Sequence, residues 1–95
     1  MRKGFGMNQI HELKILPEYF EAVIDGRKKF ELRNADRNYG VGDILDMREY
    51  DTKTQTYTGR RVLCLVTYIL DLRTLLRGHV ILSIDAFAEC EISGL

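Results

Sequence analysis

Gly26-Arg27-Lys28-Lys29-Phe30-Glu31-Leu32-Arg33 is the stretch on which the reading of this chain turns. Phe30 and Leu32 alternate with Lys29, Glu31 and Arg33, the period-two pattern of a half-buried strand. The alternation predicts that Phe30 and Leu32 enter a core while Lys29, Glu31 and Arg33 share the opposite face. Arg27 and Lys28 stand at the turn just before it. Five ionisable residues in seven positions, 27 to 33, exceed what solubility asks of an element boundary. Two readings are open: a charged strand that discourages edge-to-edge pairing, or the ionic wall of a ligand site.

The residues upstream predict a helix that delivers the chain to this strand. Pro17 suits the first helical position, because its missing N–H has no intrahelical partner there. Glu18 and Glu21 favour the positive N-terminal end of the helix dipole. Leu16, Tyr19, Phe20, Val23 and Ile24 recur at helical spacing and make one apolar stripe. Gly26 follows as the left-handed residue that ends the helix. A helix this short is unstable alone, so it must pack on a sheet. Before it, residues 9–16 (QIHELKIL) read as a strand with Leu13 and Ile15 inward. His11 shares that face near the strand's start, as a rim histidine satisfied by a backbone carbonyl or as a ligand contact at a cleft mouth. Residues 1–8 read as a loose leader, with Met7 an alternative start.

Downstream, residues 34–43 form a polar, turn-rich loop. Its Gly40-Val41-Gly42-Asp43 ending predicts glycines at positive φ before the next strand. A dinucleotide fingerprint is excluded, because the remaining glycine and a following helix are missing. Strands are predicted over 44–50, 60–70 and 79–87, with a Thr-rich hairpin tip at 51–59 and a short helical turn at 71–78. Residues 88–95 form an acidic tail open to an added edge strand. One early helix among about five to six strands cannot make a doubly wound sheet. The pattern predicts an α+β, mainly β fold: a small curved or barrel-like sheet with the helix packed against it.

The length of 95 residues bounds the chain to one domain. Fourteen basic and fourteen acidic residues cancel, which argues against a fold that coats nucleic acid regardless of sequence. The charge is nevertheless segregated: residues 27–37 hold five basic and two acidic side chains, and residues 85–95 hold three acidic and none basic. Cys64 and Cys90 have no metal-ligand spacing, and with His11 and His79 they are scattered, so neither a metal nor a cofactor is expected. No segment reaches membrane-spanning length and no export signal is visible, so reduced thiols and a cytoplasmic location are expected.

The run from His11 to Tyr50 resembles the ASCH domains, relatives of the PUA domain. The resemblance is carried by the helix from Pro17, by Gly26 to Arg33, and by Val41-Gly42-Asp43-Ile44-Leu45. His11-Glu12-Leu13-Lys14-Ile15 and Arg48-Glu49-Tyr50-Asp51 are similar, more narrowly, to a small bacterial and phage-borne subgroup of unknown function, DUF3850. The resemblance implies a PUA-like β-barrel, a cleft between barrel and helix lined by the charged motif, and RNA as the ligand. Some ASCH members hydrolyse the amide of N4-acetylcytidine through a G-x-K-x-x-T-x-R motif and a later Glu. Lys28 and Arg33 match that motif, Glu31 stands at the nucleophile position, and the segment of the later Glu is shortened to about 71–78.

The expected function is therefore RNA or nucleotide binding through His11, Lys14, Lys28, Glu31, Arg33, Arg37, Tyr39, Arg48 and Tyr50. In this reading Lys28, Arg33 and Arg37 neutralise phosphates, and Glu31 accepts from a base's amino edge or holds Arg33. Tyr39 or Tyr50 stacks a base. The alternative is a small amidohydrolase acting on a modified nucleoside, with Lys28 and Glu31 in acid–base roles. A third reading is a phage-type protein-interaction module whose acidic tail meets a basic partner. A monomer or weak dimer, free of membranes, is expected in each case.

Overall fold

A computed structural model describes residues 8–75 and 78–91. The leader at 1–7 and the last part of the tail, 92–95, lie outside the described residues. The elements are β1 (Ile10–Ile15), α1 (Pro17–Ile24), β2 (Phe30–Asn34), β3 (Ile44–Asp51), β4 (Thr56–Asp71) and β5 (His79–Glu91). These five strands join one sheet in the order β1-β3-β4-β5-β2. β1 runs parallel to β3, and the other pairings are antiparallel. The sheet curls into a half-barrel with the helix against it. β1 and β2, next to each other in sequence, thus become its two edges, and α1 carries the chain from one edge to the other.

The concave side holds the core. Leu13 and Ile15 of β1, Leu45 and Met47 of β3, Val62, Cys64 and Val66 of β4, and Val80, Leu82 and Ile84 of β5 all face it. Phe20 and Val23 cover them from the helix. The helix boundaries follow from local chemistry. Pro17 occupies the first turn, and Leu16 O accepts from Phe20 N–H at 2.9 Å. Gly26 ends the helix at φ 85°, and the returning Lys28 N–H bonds Ala22 O at 2.9 Å. That closure fixes Lys28 directly below the helix end.

β2 presents the opposite face to the one its alternation predicts. Glu31 is 4% exposed, whereas Phe30 is 49% and Leu32 48% exposed. Glu31 and Arg33 pair with the inward-facing Leu82 and Val80. Phe30 and Leu32 lie on the convex face, in cross-strand rows with Ser83 and Tyr68 and with Ile81 and Leu70. The physical reason is that β2 is an edge over an open seam. Its inward positions meet cations from the same stretch, so a carboxylate is satisfied there. The outward apolar side chains partly shelter one another.

Four smaller expectations are corrected. β4 begins at Thr56, so half of the predicted hairpin tip is strand and only 52–55 turn, with Gln55 at φ 56°. Of the two loop glycines, Gly42 has positive φ and Gly40 does not; a Cβ on Gly42 would also lie 2.9 Å from the Asn8 side chain. Residues 88–91 lengthen β5 rather than adding a strand. After β4 the chain makes a turn, Leu75 N–H to Leu72 O at 2.9 Å, with no helix among the described residues; 76–77 lie outside them.

A buried ionic anchor ties the helix to the sheet. Glu49 on β3 is 3% exposed and faces inward. Arg60 donates to both of its oxygens at 3.0 Å, and Thr58 Oγ1 donates at 2.6 Å. Arg60 also donates to Glu21 of α1 at 2.6 Å and lies 4.6 Å from the Phe20 ring centre. Burial pushes the Glu49 carboxyl up, but the hydrogen bonds from Arg60 and Thr58 outweigh it and leave its pKa below the ordinary value. A depressed folded-state pKa adds stability that is fully present above about 4.3, the unfolded value, and is lost as pH falls through the folded value. Thermal melts are therefore expected to drop in Tm below about pH 4.3, and to drop less steeply in Glu49→Gln. Parallel curves for the two proteins would contradict this assignment.

Candidate functional site

The seam between the edges of β1 and β2 opens as a cleft of about 440 Å³. It is lined by Lys14, Ile15 and Leu16 at the end of β1, by Tyr19 of α1, and by Lys28, Phe30, Glu31, Leu32 and Arg33. The volume falls within the range of small-ligand sites. Glu31 stands at its centre. Lys28 Nζ meets Glu31 Oε1 and donates to Phe30 O at 2.7 Å. Arg33 Nε donates to Glu31 Oε2 at 2.8 Å. Arg33 Nη2 donates to Lys14 O at 2.7 Å, a bond that crosses the seam from one sheet edge to the other.

The electrostatics follow from this count. Two cations share one carboxylate, and Lys14 adds a third positive charge at the rim. An ammonium has three donors and a guanidinium five, so each cation keeps N–H groups beyond those engaged. The cations are held in place without being cancelled, which suits an anion. Aromatic surface lies close by: Lys28 Nζ is 4.9 Å from the Phe30 ring centre and 5.9 Å from that of Tyr19. Lys14 Nζ sits 4.0 Å over the Tyr50 ring. The buried thiol of Cys64, facing inward from β4, is pushed up to about 12 by burial, with the Glu31 charge adding and Lys28 opposing. It stays protonated at neutral pH and is not a nucleophile.

The other expected residues divide. Lys14, Lys28, Glu31 and Arg33 line the cleft together. Arg48 and Tyr50 lie beyond Lys14, where Lys14 pairs with Arg48 in register. His11, Arg37 and Tyr39 are not among the cleft-lining residues. His11 is 4% exposed and meets Asp43 Oδ2 through Nε2 at 2.8 Å. It is therefore held by a carboxylate rather than by a backbone carbonyl. Asp43 also accepts from Gly40 N–H at 2.8 Å and Gln9 N–H at 3.0 Å, so this group clasps the loop turn onto β1. Tyr39 packs against the core 4.7 Å from the His11 ring; burial raises its pKa, with Arg37 and Arg33 opposing. Arg37 lies 3.8 Å from Asp36 on the outside.

Sequence reasoning missed Asp43, Asp46, Glu49, Arg60 and Arg61 as partners. The available signal was Glu49, which by the period-two alternation shares the face of the core residues Leu45 and Met47 in the same strand. A carboxylate in such a register must find a cation or other hydrogen-bond donors.

Residues 10–84 match the family described as "Domain of unknown function (DUF3850)". The chain belongs to the DUF3850 family. A similar protein is the "Uncharacterized 12.9 kDa protein in GpA 3'region" of Escherichia phage P2. It is 40% identical over 76 residues, which cover 80% of this chain and 68% of the relative. The matched DUF3850 region runs from β1 into β5 and contains every residue of the cleft. Among the described residues no helix is long and apolar enough to cross a membrane. Among the same residues no group of three or more His, Cys, Asp or Glu is placed to hold a metal ion.

Proposed function

We propose that this DUF3850 domain binds RNA or a nucleotide-like anion in a PUA-like barrel of the ASCH type, with phosphate seated on Lys28 and Arg33. The observation that carries the reading is the convergence of Lys28, Glu31 and Arg33 over the seam, with the carboxylate buried. A carboxylate between two cations pre-orients them, so little side-chain entropy is lost when a phosphate arrives. Phe30 and Tyr19 supply a stacking surface for a base beside the phosphate. Zero net charge limits the number of phosphate contacts, so affinity depends on the cleft rather than on a general basic surface. Both Glu31 oxygens accept from cations and the Cys64 thiol is protonated, which favours binding over amide hydrolysis.

The test is fluorescence anisotropy with a labelled pool of short RNAs at several salt concentrations. Replacing Lys28 and Arg33 together by Gln keeps hydrogen-bond donors for Glu31 and removes both charges. The expected result is at least tenfold weaker binding and a salt slope flatter by about 1.4, from about 0.7 for each lost phosphate contact. Equal affinity and equal slope in the two proteins would count against the proposal.

A further inference from the structure

The register of the sheet continues the cationic line beyond the cleft. Lys14, Arg48 and Arg61 stand directly opposite one another across β1, β3 and β4. Strands lie about 4.8 Å apart, so this row crosses about 10 Å of the convex face. Like charges placed opposite one another are destabilising, and compensation comes from the next row, where Glu12 pairs with Asp46. Asp46 Oδ2 accepts from Arg48 Nη2 at 3.1 Å and from Arg61 Nη1 at 3.3 Å. Arg48 Nη1 lies 3.6 Å from Glu12 Oε1. The cations still exceed the carboxylates by one charge.

Fold stability does not account for this row. Asp46 is 4% exposed, and its Oδ1 is buried with no hydrogen-bond partner among the described residues. An orphaned buried oxygen is unfavourable, and so are three opposed cations. The other oxygen, Oδ2, holds the two guanidiniums side by side at the surface, and Arg61 Nε also donates to Cys90 Sγ at 3.2 Å. An aromatic pair flanks them: Tyr50 and Tyr57 meet edge-to-face at 5.0 Å, and Tyr57 is 47% exposed. A depression of about 250 Å³ lies here, lined by Glu12, Leu13, Lys14, Arg48 and Tyr57. It shares Lys14 with the cleft.

From this arrangement we infer that the ligand is a single strand of RNA that runs out of the cleft across Lys14, Arg48 and Arg61, with a base against Tyr57. The inference rests on the proposed function and narrows it. A mononucleotide ends in the cleft and leaves the row's surplus positive charge without a phosphate. A duplex keeps its base faces stacked on each other and cannot offer one to tyrosine.

The experiment compares random-sequence RNA hexamers, a mixture of the four ribonucleoside monophosphates and a hairpin duplex, using wild type, Arg61→Gln and Tyr57→Ser. Asp46 keeps Arg48 in the first variant, and Tyr57 is half-exposed, so both variants fold; circular dichroism checks this. The expected result is hexamers bound at least tenfold more tightly than monophosphates and than the hairpin. Arg61→Gln cuts the hexamer-to-monophosphate ratio by about threefold or more and flattens the hexamer salt slope by about 0.7. Tyr57→Ser cuts the ratio by about fivefold or more, the loss of one stacked base. If monophosphates bind but hexamers bind no better, or if both variants keep the wild-type ratio, the track is wrong and the cleft reading survives. Equal affinity for the hairpin also overturns the single-strand assignment. If none of the three ligands binds, the cleft reading fails and the track with it.

Discussion

Replacing Asp43 by alanine is expected to lower folding stability by about 3–5 kcal/mol, the range for removing one partner of a buried, hydrogen-bonded charge. Asp43 is 0% exposed. Its carboxylate takes His11 Nε2 at 2.8 Å, Gly40 N–H at 2.8 Å and Gln9 N–H at 3.0 Å. Alanine leaves His11 and Gly40 N–H without this acceptor in the interior, where each unmet group costs about 1–3 kcal/mol, and the exposed Gln9 loses its bond at the start of β1. In a domain of this size the loss corresponds to about 15–30 °C in Tm. An amide at this position would keep one acceptor oxygen, so Asp43→Asn is expected to cost about half as much. Urea denaturation of the two variants checks both values. A loss under about 1 kcal/mol in Asp43→Ala would mean that the clasp is not structural. The consequence for function is direct, because the clasp fixes the start of β1, and β1 is one wall of the cleft.

Glu31→Ala is expected to cost about 2–4 kcal/mol, less than a fully buried pair because both of its cations reach solvent. The side chains of Lys28 and Arg33 are 15% and 23% exposed, against 6% for Glu31. Without the carboxylate, two like charges face each other across its place. A plain surface salt bridge is worth about 0–1 kcal/mol, so the size of the loss separates a built site from a decorated strand. A second readout is specific to the anion reading. Inorganic phosphate occupies the place of the lost carboxylate, so it is expected to raise the Tm of Glu31→Ala more than that of the wild type. An equal rise in both proteins would contradict it.

These two residues also show how far the sequence could be read. Pro17 and Gly26 marked the helix ends because their effects are local: a missing N–H and a permitted positive φ. The strands, and the mainly β half-barrel they build, were visible in the alternation. The inward face of β2 was not. Period two separates Phe30 and Leu32 from Glu31 and Arg33, but it does not say which pair points in. That depended on β2 becoming an edge over the seam, where Lys28 and Arg33 close on Glu31. His11 could be placed on the core side of β1, yet Asp43 lies 32 residues away, and only the parallel pairing of β1 with β3 brings them together. The Lys14–Arg48–Arg61 row was hidden for the same reason. Each cation sits in a separate strand, and the row exists only once the register is known.

The central claim is that the ionic face of β2 and the end of β1 form one anion-binding site. The most direct measurement is amide chemical-shift mapping of the 15N-labelled domain during titration with RNA hexamers. The expected result is saturable shifts concentrated at Lys14, Lys28 and residues 30–33, extending to Arg48, Tyr57 and Arg61. Shifts absent from Lys28, Glu31 and Arg33 at saturating RNA, or confined to the far end of β5, would contradict it.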